Sequence, residues 1–161
     1  MIGRRIVFFA LCIWALLLAG GTSAQASLPF QVEAIIDHKD KEPTVSFRIT
    51  NIASDAVLIS ESALPWGDRY GVLLFVLTKR DQQPLKARYP VSDVFVEKPV
   101  RLESKASISG IVELSGRFGD LSTALSKDDL LVFWFYEPKD AKRVALGQYG
   151  GWLLVPKTKK N

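Results

Sequence analysis

The chain has 161 residues, 48% of them hydrophobic, and 21 basic against 17 acidic residues give it a net charge of +4. This length suits one domain with its own hydrophobic core. Zinc and copper sites usually take several His or Cys ligands, and the chain has one of each, so the sequence predicts no metal and no other cofactor.

The first 26 residues have the organisation of a secretory signal peptide. Arg4 and Arg5 precede an apolar run from Ile6 to Ala19, and Ala24-Gln25-Ala26 has the small-x-small pattern that signal peptidase cleaves. The alternative is a retained membrane anchor, but the run is shorter than the roughly 20 residues of a membrane-spanning helix. The sequence therefore predicts a periplasmic or secreted protein that is cleaved after Ala26.

Cleavage after Ala26 would change the chemistry of the chain. It would remove Cys12, the only cysteine, and Arg4 and Arg5, so that the net charge falls from +4 to +2. A domain of this size without disulfides fits a bacterial periplasm better than a small extracellular module. The small charge predicts no nucleic-acid partner, and no stable membrane insertion is expected once the segment is gone.

Beyond residue 26, apolar residues alternate with polar ones, as in half-buried strands. In chain order, strands are predicted over residues 30–37, 44–50, 56–60, 72–77, 106–114, 130–136 and 152–155. Val72 to Leu77 is apolar at every position, which predicts a strand that is central in its sheet or covered on both faces. Residues 116–129 favour a helical turn, through the spacing of Leu121, Leu125 and Leu130.

This succession of short strands and turns predicts an all-β fold. The specific prediction is an immunoglobulin-like antiparallel β-sandwich of about seven strands, preceded by the signal peptide. The predicted domains are a signal peptide over residues 1–26, one β-sandwich over residues 27–156 and a basic tail over residues 157–161.

Side chains suited to catalysis are sparse after residue 26. His38, the single histidine, lies in a charged turn where nothing would organise it as a base. The acidic residues between positions 37 and 42 alternate with lysines and lack the spacing of a calcium loop. Asp128 and Asp129 are expected in the turn before a buried strand. We therefore predict no enzyme and no catalytic, cofactor-binding or metal-binding residue.

The loop from Leu64 to Tyr70 is the candidate interaction loop. Trp66, Asp68, Arg69 and Tyr70 lie in it, and Trp, Arg and Tyr are the residue types that concentrate binding energy at interfaces. The alternative is structural, with Trp66 closing the open end of the sandwich.

The strand over residues 130–136 presents a second choice between core and interface. Phe133 and Phe135 share one face of it, and Trp134 and Tyr136 share the other. Core packing accounts for one pair. The second pair is either covered by loops or forms an exposed patch for a partner.

Several short motifs follow one another in a recognisable order. They are residues 47–51 (FRITN), 56–58 (AVL), 63–65 (ALP), 83–85 (QPL), 102–114 (LESKASISGIVEL) and 118–121 (FGDL). The order resembles the N-terminal β-sandwich module of secreted metalloproteases of the deuterolysin and peptidyl-Lys endopeptidase type. The resemblance implies the fold and an accessory role. The catalytic zinc domain of those proteases, with its His-Glu-x-x-His motif, has no counterpart in this sequence, so no catalytic or metal residue carries over.

The functional hypothesis is an exported, non-catalytic β-sandwich that binds a protein or a cell-envelope component. One alternative, suggested by the protease resemblance, is an inhibitor or accessory regulator of a secreted hydrolase. The other is a carboxylate-only enzyme such as a glycosidase, which would need a cleft holding two carboxylates about 5 to 10 Å apart.

Overall fold

The alternating pattern of the sequence produces the strands seen in a computed structural model, which describes residues 28–39, 42–67, 71–88 and 98–158. Eight strands lie in these ranges: β1 (Phe30–Lys39), β2 (Glu42–Asn51), β3 (Val57–Ser60), β4 (Val72–Thr78), β5 (Pro99–Leu102), β6 (Ser107–Glu113), β7 (Leu130–Tyr136) and β8 (Tyr149–Val155). A 3₁₀ turn (Glu61–Ala63) follows β3, and two helical turns, α1 (Leu114–Arg117) and α2 (Leu121–Leu125), separate β6 from β7. The predicted all-β fold is confirmed.

The strands pair into three antiparallel sheets. β1, β2 and β6 form the first, in that order, and we call it the β2 sheet. β4, β7 and β8 form the second, the β7 sheet, while β3 and β5 make a short ribbon. After β2 the chain crosses to the β7 sheet with β4, returns to the β2 sheet with β6 and crosses again for β7 and β8. Such crossings between two sheets are typical of an immunoglobulin-like sandwich.

Inward-pointing side chains of the two larger sheets form the core. Val45, Phe47 and Ile49 of β2 are buried, as are Val132 and Trp134 of β7. The rings of Phe47 and Trp134 meet edge to face with their centroids 5.5 Å apart, one of the two favoured aromatic geometries. This contact joins the middle strands of the two sheets.

The position of β4 differs from the prediction. Val72 to Leu77 was expected to be central in a sheet or covered on both faces, but β4 lies at the edge of the β7 sheet. Val72, Leu74 and Val76 are buried, whereas Leu73 and Phe75 between them are exposed. The prediction is wrong because an unbroken apolar run also results when the outward face of a strand is itself apolar.

The segment between β6 and β7 packs against the core. It contains the predicted helical turn, although α1 begins two residues before the expected start. Leu121 and Leu125 are buried, as their spacing predicted. In the described ranges, no helix combines the length and apolar character that crossing a bilayer requires. The predicted signal peptide (residues 1–26) lies outside the described residues.

Candidate binding surface

The outer face of the β7 sheet is apolar at every outward position. Three cross-strand rows cover it: Leu73–Phe135–Gly150, Phe75–Phe133–Trp152 and Leu77–Leu131–Leu154. Because successive side chains on a strand point to opposite faces, all three rows point away from the core. We call these nine residues the aromatic–leucine face.

Much of the aromatic–leucine face is open to solvent. Leu73 is 68% exposed, Trp152 64% and Phe75 53%, and Phe133, Phe135 and Leu154 are also exposed. At about 150–250 Å² for each aromatic side chain and somewhat less for each leucine, the face leaves about 600 Å² of apolar surface uncovered. The largest apolar patch on a typical monomer is about 300–600 Å² and often functional. The face is therefore a candidate binding surface.

The outer face of the β2 sheet is different. Its outward positions are mostly polar or charged: Gln31, Glu33, Asp37, Ser46, Arg48, Thr50, Ser107, Ser109 and Glu113. Only Ile35 and Ile111 interrupt this pattern, on either side of Ser46 in one row. Antiparallel sheets with one face in water normally alternate in this way. The apolar outer surface is therefore specific to the β7 sheet and does not follow from the sandwich fold itself.

Charged groups lie beyond the two ends of the aromatic–leucine face. After β4, Lys79 Nζ is 3.2 Å from Asp129 Oδ2, and after β7, Lys139 Nζ is 3.7 Å from Glu137 Oε1. The backbone N–H of Lys157 also donates to Asp129, and this bond, together with that from Lys79, lowers the pKa of the carboxyl group. Apolar centres with polar rims are typical of protein interfaces.

Of the predicted interaction loop, only Trp66 is described; Asp68, Arg69 and Tyr70 lie outside the described residues. The indole of Trp66 lies directly on Gly110 of β6, so close that an added Cβ would overlap it. Trp66 is half-buried and packs against the core. This placement agrees with the structural alternative for Trp66, and a binding role for the other three residues stays a prediction.

Arg117 of α1 forms hydrogen bonds to the backbone at both ends of the predicted interaction loop. Its Nη1 donates to the carbonyl of Val72 at 2.9 Å, and its Nη2 donates more weakly to that of Pro65 at 3.5 Å. The N–H of Gly67 closes a turn onto the carbonyl of Leu64 at 2.9 Å. These bonds fix where the loop leaves and rejoins the sandwich.

The structure decides between the two aromatic pairs of β7. Trp134 and Tyr136 belong to the core, whereas Phe133 and Phe135 are exposed, as in the alternative of a patch for a partner. Sequence reasoning missed Trp152, the most exposed aromatic residue of the face. Its signal was present, because the last predicted strand (residues 152–155) is apolar at every position, like the strands that precede it in the sheet.

The predicted turn carboxylates serve as hydrogen-bond acceptors. Asp128 Oδ2 accepts from the N–H of Arg80 at 2.7 Å, and Asp129 Oδ1 accepts from that of Lys157 at 3.0 Å. They fasten the ends of β4 and β8 to the start of β7. The side chain of His38 lies outside the described part of the molecule. Among the residues that are described, no three His, Cys, Asp or Glu side chains come together as a metal site would need.

No protein-family model matches the chain, and no curated protein is significantly similar to it. The resemblance to the metalloprotease module therefore stays a prediction.

Proposed function

We propose that this chain is an exported, non-catalytic β-sandwich that binds another protein through the aromatic–leucine face. The observation that supports the proposal is the unbroken three-by-three array of apolar positions on the outer face of the β7 sheet. Such an array is unfavourable on a sheet that faces water, because each exposed aromatic side chain lowers the solubility of the protein. A partner that covers the array removes these apolar side chains from water.

The arrangement within the face fits a protein partner. Phe75, Phe133 and Trp152 form its middle row, and leucines occupy most of the two flanking rows. Binding energy at protein interfaces concentrates on central aromatic residues, which surrounding contacts shield from water. The charged pairs lie outside the array, where an interface has its polar rim.

Export is the second part of the proposal. It is supported by the basic start at Arg4 and Arg5, the apolar run from Ile6 to Ala19 and the cleavage pattern that ends at Ala26. The full gene product should be expressed in a bacterium, and the intact mass of the protein should be measured in each cell fraction. We expect a periplasmic or secreted chain that begins at Ser27. Uncut chain confined to the cytoplasm would contradict export.

Binding through the face is testable by cross-linking in the exporting cell. A benzophenone amino acid replaces Phe75, and the same group at Ile35, on the outer face of the β2 sheet, is the matched control. We expect protein adducts from position 75 and few or none from position 35. Adducts with lipid alone, or the same adducts from both positions, would contradict the proposal.

A further inference from the structure

We infer that the occupant of the aromatic–leucine face is the same face of a second copy of this chain, which gives a two-fold symmetric dimer. This inference rests on the proposed binding role of the face. Three observations support it: the area of the face, its internal arrangement and the charges around it.

The area agrees with a dimer. The face offers about 600 Å² of apolar surface on each copy, so two copies together would bury about 1,200 Å² before any rim contact is counted. Specific interfaces bury about 1,200–2,000 Å² in total. Two sheets that pack face to face interdigitate their side chains about 10 Å apart, which suits these long apolar residues.

The arrangement of the rows is compatible with self-association. A two-fold axis along the middle row would bring Phe75, Phe133 and Trp152 opposite the same row of the second copy. It would also place each flanking row opposite the other one. Gly150, the only position of the face without a side chain, would then lie opposite Leu154 of the second copy, so that a projecting leucine meets a gap.

The charges around the face argue against a lipid surface. Attraction to anionic lipids requires basic groups that are free to meet the headgroups. Lys79 is paired with Asp129 beyond one end of the face, and Lys139 is paired with Glu137 beyond the other. Each of these two lysines is paired with a carboxylate, so neither offers a free positive charge to a lipid headgroup.

The N-terminal segment is the other apolar candidate from this chain. The first described residue, Leu28, lies near Gly147, shortly before β8 begins. Cleavage after Ala26 would remove that segment and leave the face open. The dimer inference therefore applies to the processed chain.

The test is sedimentation equilibrium on the protein recovered from the exporting bacterium, from micromolar to submillimolar concentration. We expect twice the mass of one chain. Leu73→Ser should raise the dimer Kd by about 100-fold or more, because every dimer loses two leucine contacts. Ile35→Ser, at a residue that is 62% exposed against 68% for Leu73, should leave the Kd unchanged. Circular dichroism checks that each variant is folded, and Leu154→Ser replaces Leu73→Ser if the latter is not.

The outcomes separate this inference from the proposed function. Wild-type protein that remains monomeric overturns the dimer. If Phe75 still cross-links to another protein in the cell, the proposed function stands, and if it cross-links to none, both fail. A dimer that Ile35→Ser disrupts and Leu73→Ser does not would overturn the inference, as would a monomer that floats with phosphatidylglycerol vesicles. An uncut chain that is monomeric and shields Phe75 from the cross-linker would identify the N-terminal segment as the occupant instead.

Discussion

Asn51 is fully buried and uses both ends of its amide. Its Nδ2 donates to the carbonyls of Asp55 at 2.8 Å and Leu102 at 3.0 Å, and its Oδ1 accepts from the N–H of Ala53 at 3.0 Å. Buried polar groups are tolerated when they are hydrogen-bonded in this way. One side chain thus fastens the turn after β2 to the end of β5.

Replacing Asn51 should show how much these three hydrogen bonds stabilise the folded chain. We expect Asn51→Ala to lower the free energy of unfolding by about 2–3 kcal/mol, because the buried carbonyl of Leu102 and two partly buried backbone groups lose their partner. Urea unfolding measures this change. The control is Thr50→Ala, whose hydroxyl meets that of Ser107 on the exposed face of the β2 sheet. Equal losses in the two variants would contradict the prediction.

Tyr136 is buried in the core without a hydrogen bond to its hydroxyl from any described residue. Burial raises the pKa of this hydroxyl well above its ordinary 10.0, and Tyr149, whose ring centroid is 6.3 Å away, raises it further. The folded chain therefore keeps Tyr136 neutral at a pH at which the unfolded chain ionises it.

This difference predicts alkaline destabilisation that depends on Tyr136. Below about pH 10 the hydroxyl is neutral in both states and its ionisation does not affect stability. As the pH rises from there toward the raised folded-state pKa, only the unfolded chain ionises, and stability declines by up to about 1.4 kcal/mol per pH unit. Tyr136→Phe should lack this part of the decline. At neutral pH it should be as stable as the wild type or up to about 1 kcal/mol more stable, since the hydroxyl has no described partner. Urea unfolding of both proteins from pH 8 to pH 12 measures the difference. Identical pH profiles would contradict the assignment.

At the scale of elements, both inward-facing tryptophans of the sandwich lie against a glycine of another element. Trp66 lies on Gly110 of β6, and Trp134 of β7 lies on Gly151 of β8, where an added Cβ would be 3.0 Å from the indole Nε1. Glycine weakens a strand interior and often marks a close approach by another group. Here it makes room for two large rings near the core.

A methyl group at Gly110 should therefore displace Trp66. We expect Gly110→Ala to cost about 1–3 kcal/mol of stability through overpacking. Gly116→Ala is the matched control, because nothing lies within 4 Å of its added Cβ and the residue is part of α1. This control should be neutral or stabilising by up to about 1 kcal/mol. Urea unfolding with tryptophan fluorescence measures both, and similar values for the two variants would show that Trp66 is not held on Gly110.

How well each strand was predicted depended on its own sequence. β2 and β6 alternate clearly, since Val45, Phe47 and Ile49 of β2 point inward between polar residues, and Ile108 and Val112 of β6 pack into the core. β4 offers no such contrast, because Leu73 and Phe75 are as apolar as their buried neighbours. Periodicity cannot separate the two faces of such a strand, so its position in the sheet was predicted incorrectly.

At the scale of the whole molecule, the two outer faces of the sandwich differ in chemistry. The β2 sheet presents mainly Ser, Thr, Arg and Glu to solvent, whereas the β7 sheet presents Leu, Phe and Trp. If a second copy covers the apolar face, folding and association are linked, because the dimer forms only from folded chains.

This linkage predicts a melting temperature that depends on protein concentration. The Tm of the wild type and of Ile35→Ser should rise as the protein becomes more concentrated, by mass action. The Tm of Leu73→Ser should be almost constant and equal to that of the dilute wild type, because Leu73 is mostly exposed in the monomer. Differential scanning calorimetry over a dilution series measures this. A wild-type Tm that does not change with concentration would count against association.

The sequence by itself determined seven of the eight strands, the sandwich class and the placement of Phe133 and Phe135 on the same side of β7, because these follow from a period of two along the chain. The short strand β5 (Pro99–Leu102) was not predicted. Only the tertiary structure decided which side of β7 faces solvent. Both sides are apolar, and the choice depends on which one packs against Phe47 and its neighbours in β2. The row of Phe75, Phe133 and Trp152 likewise required the register of three strands that are distant in sequence. Local periodicity contains no information about that register, so the aromatic–leucine face became visible only in the folded chain.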